Sequence, residues 1–259
     1  SRYFDSEIFS SVLYKQLGFL SPRTFKVKVK INGIDTEYLF QENLKKEFLE
    51  FNSRLEGPIL ESNEDYHNIE IFQLARISNA EWNKEDYINK LTSLEAIRFY
   101  NKILLSSKNF FNYDKLIRFN SEDFDKISYK NLSEFDALTY ATGNTHGLTF
   151  YNRRFYYDPI KKILEPIYYD GCSKILSEIN YDIFTGEYKK RLFNYQKTPK
   201  LNFDRIQSDK LDQKYVPKKG YSKRMVTNSA KNGAKVVYDK LIKLDKKTIL
   251  EELHKNGFN

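Results

Sequence analysis

The sequence predicts an α+β fold, and three features carry that prediction. The stretch TFKVKVKI alternates apolar and charged residues and runs into Asn32-Gly33, the strongest short hairpin signal there is. A second strand pair, RRFYYDPIKKILEPIYYD, follows in the middle of the chain around a turn at Pro159-Ile160-Lys161-Lys162. Around these hairpins the apolar residues recur at helical spacing, with helix–hairpin–helix first and a mostly helical second half.

Residues 5–17 read as an amphipathic helix carrying Ile8, Val12, Leu13 and Leu17, with Asp5 or Ser6 to cap it and Gly18 to stop it. In the first hairpin Phe25, Val27, Val29 and Ile31 point one way and Lys26, Lys28 and Lys30 the other, and the return strand ends at Glu42. NLKKEFLEFNSRL predicts a helix with Leu44, Phe48, Phe51 and Leu55 inward, closed by Gly57-Pro58. A short strand, PILES, and a polar loop, ESNEDYHN, come next. Two helices are expected between Ser78 and Ser107, with Leu94, Ile97, Tyr100 and Leu104 on one face. Residues 121–130 read as a loop or short helix, and LSEFDALTYAT as a helix capped by Ser133. Residues 196–233 are extended and loop-rich, and one final helix runs from Ala234 to Lys255 with Val237, Leu241, Leu244 and Leu250 as its stripe.

Composition narrows the function classes. Apolar residues are 40% of the chain, but 20 Tyr and 20 Phe can still build a core, because each aromatic buries a large area. No run of about eighteen apolar residues exists, so no membrane span is expected. The chain begins Ser-Arg-Tyr without Met or a basic-then-apolar leader. The expectation is a soluble, cytoplasmic protein with no signal peptide, in a fragment or processed form. One cysteine excludes an internal disulfide framework, and three scattered histidines argue against a structural zinc site. The Lys-, Asn-, Ile-, Tyr- and Phe-rich composition points to an AT-rich bacterial or viral genome. Residues 188–259 hold 19 Lys/Arg against 7 Asp/Glu, whereas residues 1–187 hold 24 against 28. A basic tail of this kind suits an acidic protein partner, an anionic surface or nucleic acid, with Tyr195, Tyr215 and Tyr221 interleaved for base stacking.

Candidate chemistry concentrates in residues 142–172, TGNTHGLTFYNRRFYYDPIKKILEPIYYDGC, which gather Asn144, His146, Asn152, Arg153, Arg154, Asp158 and Asp170. A hairpin brings its ends together, so Asn152 and Asp170 should be neighbours. An amide oxygen beside a carboxylate suits Mg²⁺, with phosphate oxygens and water completing the shell. Arg153 and Arg154 supply fork-shaped donors for a phosphate or a structural carboxylate. His146 is a candidate proton acceptor at neutral pH. Ordinary turn chemistry accounts for an Asn at a strand start and an Asp-Gly at a strand end equally well.

Three separated motifs resemble the CotH-like kinases, the spore coat protein H family. They are the opening helix with Gly18 to Thr24, the Asn32-Gly33 hairpin ending at Glu42 with the later Gly-Pro-Ile strand, and LTYATGNTHGLTFYNRRFYYDPIKKILEPIYYDG. The resemblance spans residues 5–175. It implies an atypical protein-kinase fold with ATP and Mg²⁺ or Mn²⁺ between two lobes, transferring phosphate to Ser or Thr of a protein. Residues 1–75 would then be part of the sheet-containing small lobe, 76–195 the helical lobe with the catalytic hairpin, and 196–259 a basic segment ending in a helix. Asp170 matches the metal-binding aspartate and Asn152 the catalytic-loop asparagine, the second metal ligand. Glu42, Arg153 and Arg154 become the candidates for holding the nucleotide, and His146, Asp136 and Asn144 those for catalysis.

Two departures from the family pattern stand out. Many members carry an Asp shortly after the Gly-Asn pair. Here Thr145-His146 occupy that place, and the nearest upstream acid is Asp136. The nucleotide-binding lysine and phosphate-covering loop of such kinases precede the first helix, where this sequence starts. A catalytically impaired, pseudokinase-like binding protein is therefore the alternative, and a nucleic-acid-binding protein using residues 188–259 the second.

Overall fold

The computed structural model describes residues 4–62, 75–84, 86–106, 124–148, 152–171, 175, 179–181, 188–190 and 228–258. Helices and antiparallel strands are mixed as the α+β reading expects. Among the described residues the α-helices are α1 (Phe4–Gln16), α2 (Lys46–Phe51), α3 (Tyr87–Ser106), α4 (Lys126–Ala141), α5 (Asn228–Ile242) and α6 (Lys246–Lys255). The eight strands are β1 (Thr24–Ile31), β2 (Ile34–Gln41), β3 (Ile59–Ser62), β4 (Ala75–Ile77), β5 (Arg154–Asp158), β6 (Ile163–Ile167), β7 (Ile179–Tyr181) and β8 (Tyr188–Lys190). They form a two-stranded β1–β2 ribbon, a four-stranded sheet in the order β4-β3-β5-β6, and a two-stranded β7–β8 ribbon.

The four-stranded sheet is buried on both faces, and the pleat sorts its residues. Phe155, Tyr157 and Leu164 pack with Tyr100 and Ile103 of α3 and Leu132 of α4. Tyr156, Ile59 and Ile167 pack the opposite way, onto Phe48 and Leu49 of α2 and Leu20. A third cluster joins α1 to α4, α5 and α6 through Ile8, Leu13, Tyr14, Leu138, Val237 and Leu253. Elements from all three sequence segments therefore share core. The outer edge of β6 is closed: Leu164 N–H donates to Ser128 Oγ (2.9 Å), Tyr168 N–H donates to Leu20 O (2.8 Å), and Pro166 has no N–H. Proline on an edge strand and capped donors leave little for a stray strand to pair with.

The β1–β2 register pairs Phe25 with Phe40, Val27 with Tyr38 and Ile31 with Ile34, around Asn32 and Gly33 at φ 51° and 84°. That double left-handed turn is what a two-residue hairpin requires. The apolar residues do share one face, but toward the tip that face is open among the described residues, with Ile34 69% exposed. The base of the ribbon is anchored, with Lys26 N–H donating to Asn256 O, Lys26 Nζ 2.7 Å from Asp5, Arg23 holding Glu42 and Leu39 packed on the core.

Several boundaries differ from the sequence reading. Helix α2 stops at Phe51 because the Asn52 side chain bonds Phe48 O and both backbone groups of Ser21, and Ser53 turns left-handed. Leu49 then replaces Phe51 and Leu55 in the core. Where two helices were expected after Ser78, a 3-10 turn (Ala80–Lys84) precedes the single helix α3. Its inward face is Ser93, Ala96, Tyr100 and Ile103, with Leu94 outside. Ser133 is not the cap of α4. Asp125 is, accepting from Ile127 N and Ser128 N, while Ser133 Oγ donates back to Tyr129 O within the helix. The final helix is two, broken before Asp245, which caps α6 through Lys247 N and Thr248 N. The loop residues 63–68 and all of 196–227 fall outside the described residues.

Candidate functional site

Helix α4 ends at Thr142, where Gly143 (φ 73°) reverses the chain and Asn144 N–H returns to Thr139 O (2.9 Å). A 3-10 turn, Thr145–Leu148, follows and carries His146. On the other side, β6 runs through Tyr168 and Tyr169 to Asp170, itself left-handed at φ 44°. Two glycines allow these segments to meet. A Cβ on Gly147 would lie 3.1 Å from Tyr169 O, and one on Gly171 would lie 2.8 Å from the Tyr168 ring and 3.1 Å from Asn144 Cβ. Only glycine tolerates such approach without a shift.

The result is a partly open rim. His146 Nε2 lies 3.6 Å from Asp170 Oδ2, with the side chains 34% and 17% exposed. Asn152, just ahead of β5 and itself buried, donates from Nδ2 to His146 O (3.3 Å). So His146 lies beside both residues expected to be neighbours, its ring near Asp170 and its backbone carbonyl bonded by Asn152. The donor set is one carboxylate, one amide oxygen and one imidazole. Among the described residues no group of three or more His, Cys, Asp or Glu gathers in one place. An all-protein cage is not offered here. A cation sharing its shell with phosphate and water needs only one or two protein oxygens, and Asp170 with Asn152 supplies that number.

Behind the rim the remaining candidates are spoken for. Arg153 Nη1 lies 2.8 Å from Asp136 Oδ1, with both side chains buried, and Asp136 Oδ2 accepts from Ser229 Oγ at 2.6 Å. Arg154 Nε lies 2.8 Å from Glu61 Oε2 and its guanidinium sits 4.7 Å from the Tyr169 ring. Glu61 also takes Arg76 Nε at 2.7 Å, and β3 places it directly opposite both arginines. Both guanidiniums thus rest on structural carboxylates. Asn144 is fully buried, its Nδ2 reaching Thr142 Oγ1 (2.8 Å), Ser10 Oγ and the Tyr14 hydroxyl, so it ties the loop to α1. Glu42 is bound to Arg23 through Nε at 2.9 Å and closes the base of the β1–β2 ribbon. Asp158 serves its turn, accepting from Ile160 N and Lys161 N at 2.9 Å each.

Burial pushes the phenols of this inner layer up. Tyr14 rises to about 12, chiefly through burial and against its hydrogen bonds with Thr139, Thr142 and Asn144. Tyr100 rises to about 12 by burial, opposed by the charge of Arg153. Tyr168 goes well above its ordinary value, by burial and by Glu7, whose Oε2 accepts its hydroxyl at 2.8 Å.

Glu61, Ser229 and Tyr14 were not among the residues singled out from sequence. Glu61 had a signal, since strand PILES offers one acid where a buried arginine needs a partner. Ser229 had none, because nothing in its neighbourhood separates it from a loop residue. The basic stretch with Tyr195, Tyr215 and Tyr221 lies outside the described residues. Among those described, no helix is long and apolar enough to cross a membrane. No protein-family model matches this chain, and no curated protein matches it.

Proposed function

We propose that the chain is an ATP- and divalent-metal-dependent kinase-like protein of the CotH-like class, transferring phosphate to Ser or Thr of a protein substrate. The observation that carries this reading is that His146 lies beside Asp170 at a partly open rim, with the buried Asn152 bonded to its backbone. Asp170 and Asn152 are the residues that would hold Mg²⁺ or Mn²⁺, whose charge would neutralise the phosphates of bound ATP. His146 takes the place of the acid that many members carry and accepts the proton of the substrate hydroxyl. The acceptor oxygen then bonds to the γ-phosphorus as the γ-phosphorus–oxygen bond to ADP breaks. Positioning and charge neutralisation supply most of such catalysis, so a small constellation suffices.

The test is phosphate incorporation from radiolabelled ATP by wild type and Asp170→Asn. Loss of incorporation in the variant, with Mn²⁺ present, is expected. Equal incorporation by both would remove Asp170 from the site.

A second reading, a kinase-fold binding protein without turnover, is favoured by the arginines. Arg153 and Arg154 both sit on carboxylates instead of facing the rim, so neither is poised to clamp a phosphate. It predicts a nucleotide- and metal-dependent thermal shift with no incorporation.

A further inference from the structure

The basic C-terminal segment reaches the rim through a buried relay, and α5 is the element that makes the connection. Helix α5 lies unusually close to α4. A Cβ on Gly233 would stand 2.1 Å from Ser133 O and 2.6 Å from Glu134 N, so no side chain fits between the two backbones. One turn earlier on the same face of α5 sits Ser229, fully buried, and its hydroxyl donates to Asp136 Oδ2 at 2.6 Å. The other oxygen of that carboxylate meets Arg153 Nη1 at 2.8 Å. Arg153 adjoins Asn152, which bonds the backbone of His146, which faces Asp170. Each carboxylate oxygen of Asp136 thus has a partner, one from the C-terminal helix and one from the strand that carries the site.

We propose that Ser229 and Asp136 are positioning residues for the Asn152–His146–Asp170 rim, and that α5 orders the rim by docking on α4. This role presupposes that the rim is the metal- and nucleotide-binding site. A buried carboxylate held from one side only can rotate, and the guanidinium it holds would move with it. That motion enters the chain one residue from Asn152. Partners that orient metal ligands from behind commonly matter nearly as much as the ligands do.

The experiment uses the full chain, Ser229→Ala, and Lys240→Met as the comparison variant. Lys240 pairs with Glu134 across the same two helices, away from Arg153, so its loss loosens α5 without touching the relay. Two quantities are read: Mn²⁺ affinity by electron paramagnetic resonance, with the metal alone, and hydrogen exchange at the backbone amides of residues 153–156. Ser229→Ala should weaken Mn²⁺ binding about tenfold, as is usual for a lost outer partner, and Lys240→Met should leave it unchanged. Exchange at 153–156 should speed up about tenfold in Ser229→Ala only, since local opening is what the relay suppresses. Wild-type values in Ser229→Ala, or equal changes in both variants, would reduce α5 to a packing element and overturn the proposal. If wild type takes up no Mn²⁺, the metal-site reading fails instead, and the exchange rates alone decide whether the relay orders the strand.

Discussion

Two acid–base pairs flank Asn152, and their surroundings could hardly differ more. Asp136 and Arg153 are 0% and 2% exposed, 2.8 Å apart, with Ser229 completing the carboxylate. Asp170 and His146 lie 3.6 Å apart at a rim that solvent reaches. Buried charges cannot shed one partner without leaving the other stranded in a medium that solvates it poorly. A partly exposed pair is better screened and holds its partner less tightly. Burial makes one aspartate part of the core and leaves the other partly exposed, where the proposed chemistry needs it.

Breaking the inner pair should have the largest effect. Arg153→Met leaves Asp136 buried and unpaired, for which a loss of about 3–5 kcal/mol of stability is expected. Chemical denaturation measures it. Coupling the change with Asp136→Leu removes the stranded carboxylate and should recover most of the loss. A single variant within about 1 kcal/mol of wild type would mean that water reaches Asp136 and that the contrast between the two pairs is false.

The inner layer should also announce itself in base. Burial keeps Tyr14 and Tyr100 protonated to about 12 and also raises Tyr168 well above its ordinary value, whereas an unfolded tyrosine releases its proton near 10.0. Between those values the folded chain holds more protons than the unfolded one, so stability falls as pH rises. The contribution is complete below pH 10 and is lost on passing through about 12. Urea midpoints measured from pH 9 upward should therefore be flat and then decline. Tyr14→Phe should make the decline shallower. A midpoint that stays level through pH 11 would show that these phenols are wet.

How much of this was readable in advance follows from the range over which each interaction acts. The Asn32-Gly33 turn, the β5–β6 pair and the α1 stripe are set by neighbours in sequence, and all appear where the pattern puts them. Helix ends set by distant groups were misplaced. Asn52 stops α2 by bonding Ser21, more than thirty residues away, and no local pattern encodes that. The same divide runs through the site. Asn152 and Asp170 were chosen by hairpin geometry, and the structure sets both against His146, one through its ring and the other through its backbone. The fate of Arg153 and Arg154 depended on Asp136 and Glu61, whose approach is fixed by tertiary packing. Ser229 lies in a helix whose start was read as loop, so the relay it completes had no trace in the pattern.

The smallest effect on stability should come from the outer pair, and there the comparison is sharpest. Asp170→Asn keeps the shape of the side chain and its left-handed backbone, which asparagine tolerates about as well as aspartate. Its side chain is 17% exposed where that of Asp136 is 0%, so water can replace part of what the carboxylate loses. The change should therefore cost about 1 kcal/mol of folding stability, well below the loss expected for Arg153→Met. The lost negative charge removes the group best suited to a divalent cation, so Mn²⁺ affinity should drop steeply in the same variant. Denaturation and metal titration on one preparation separate the two quantities. A variant that lost stability on the scale of Arg153→Met while keeping its metal would exchange the roles assigned here to the two aspartates.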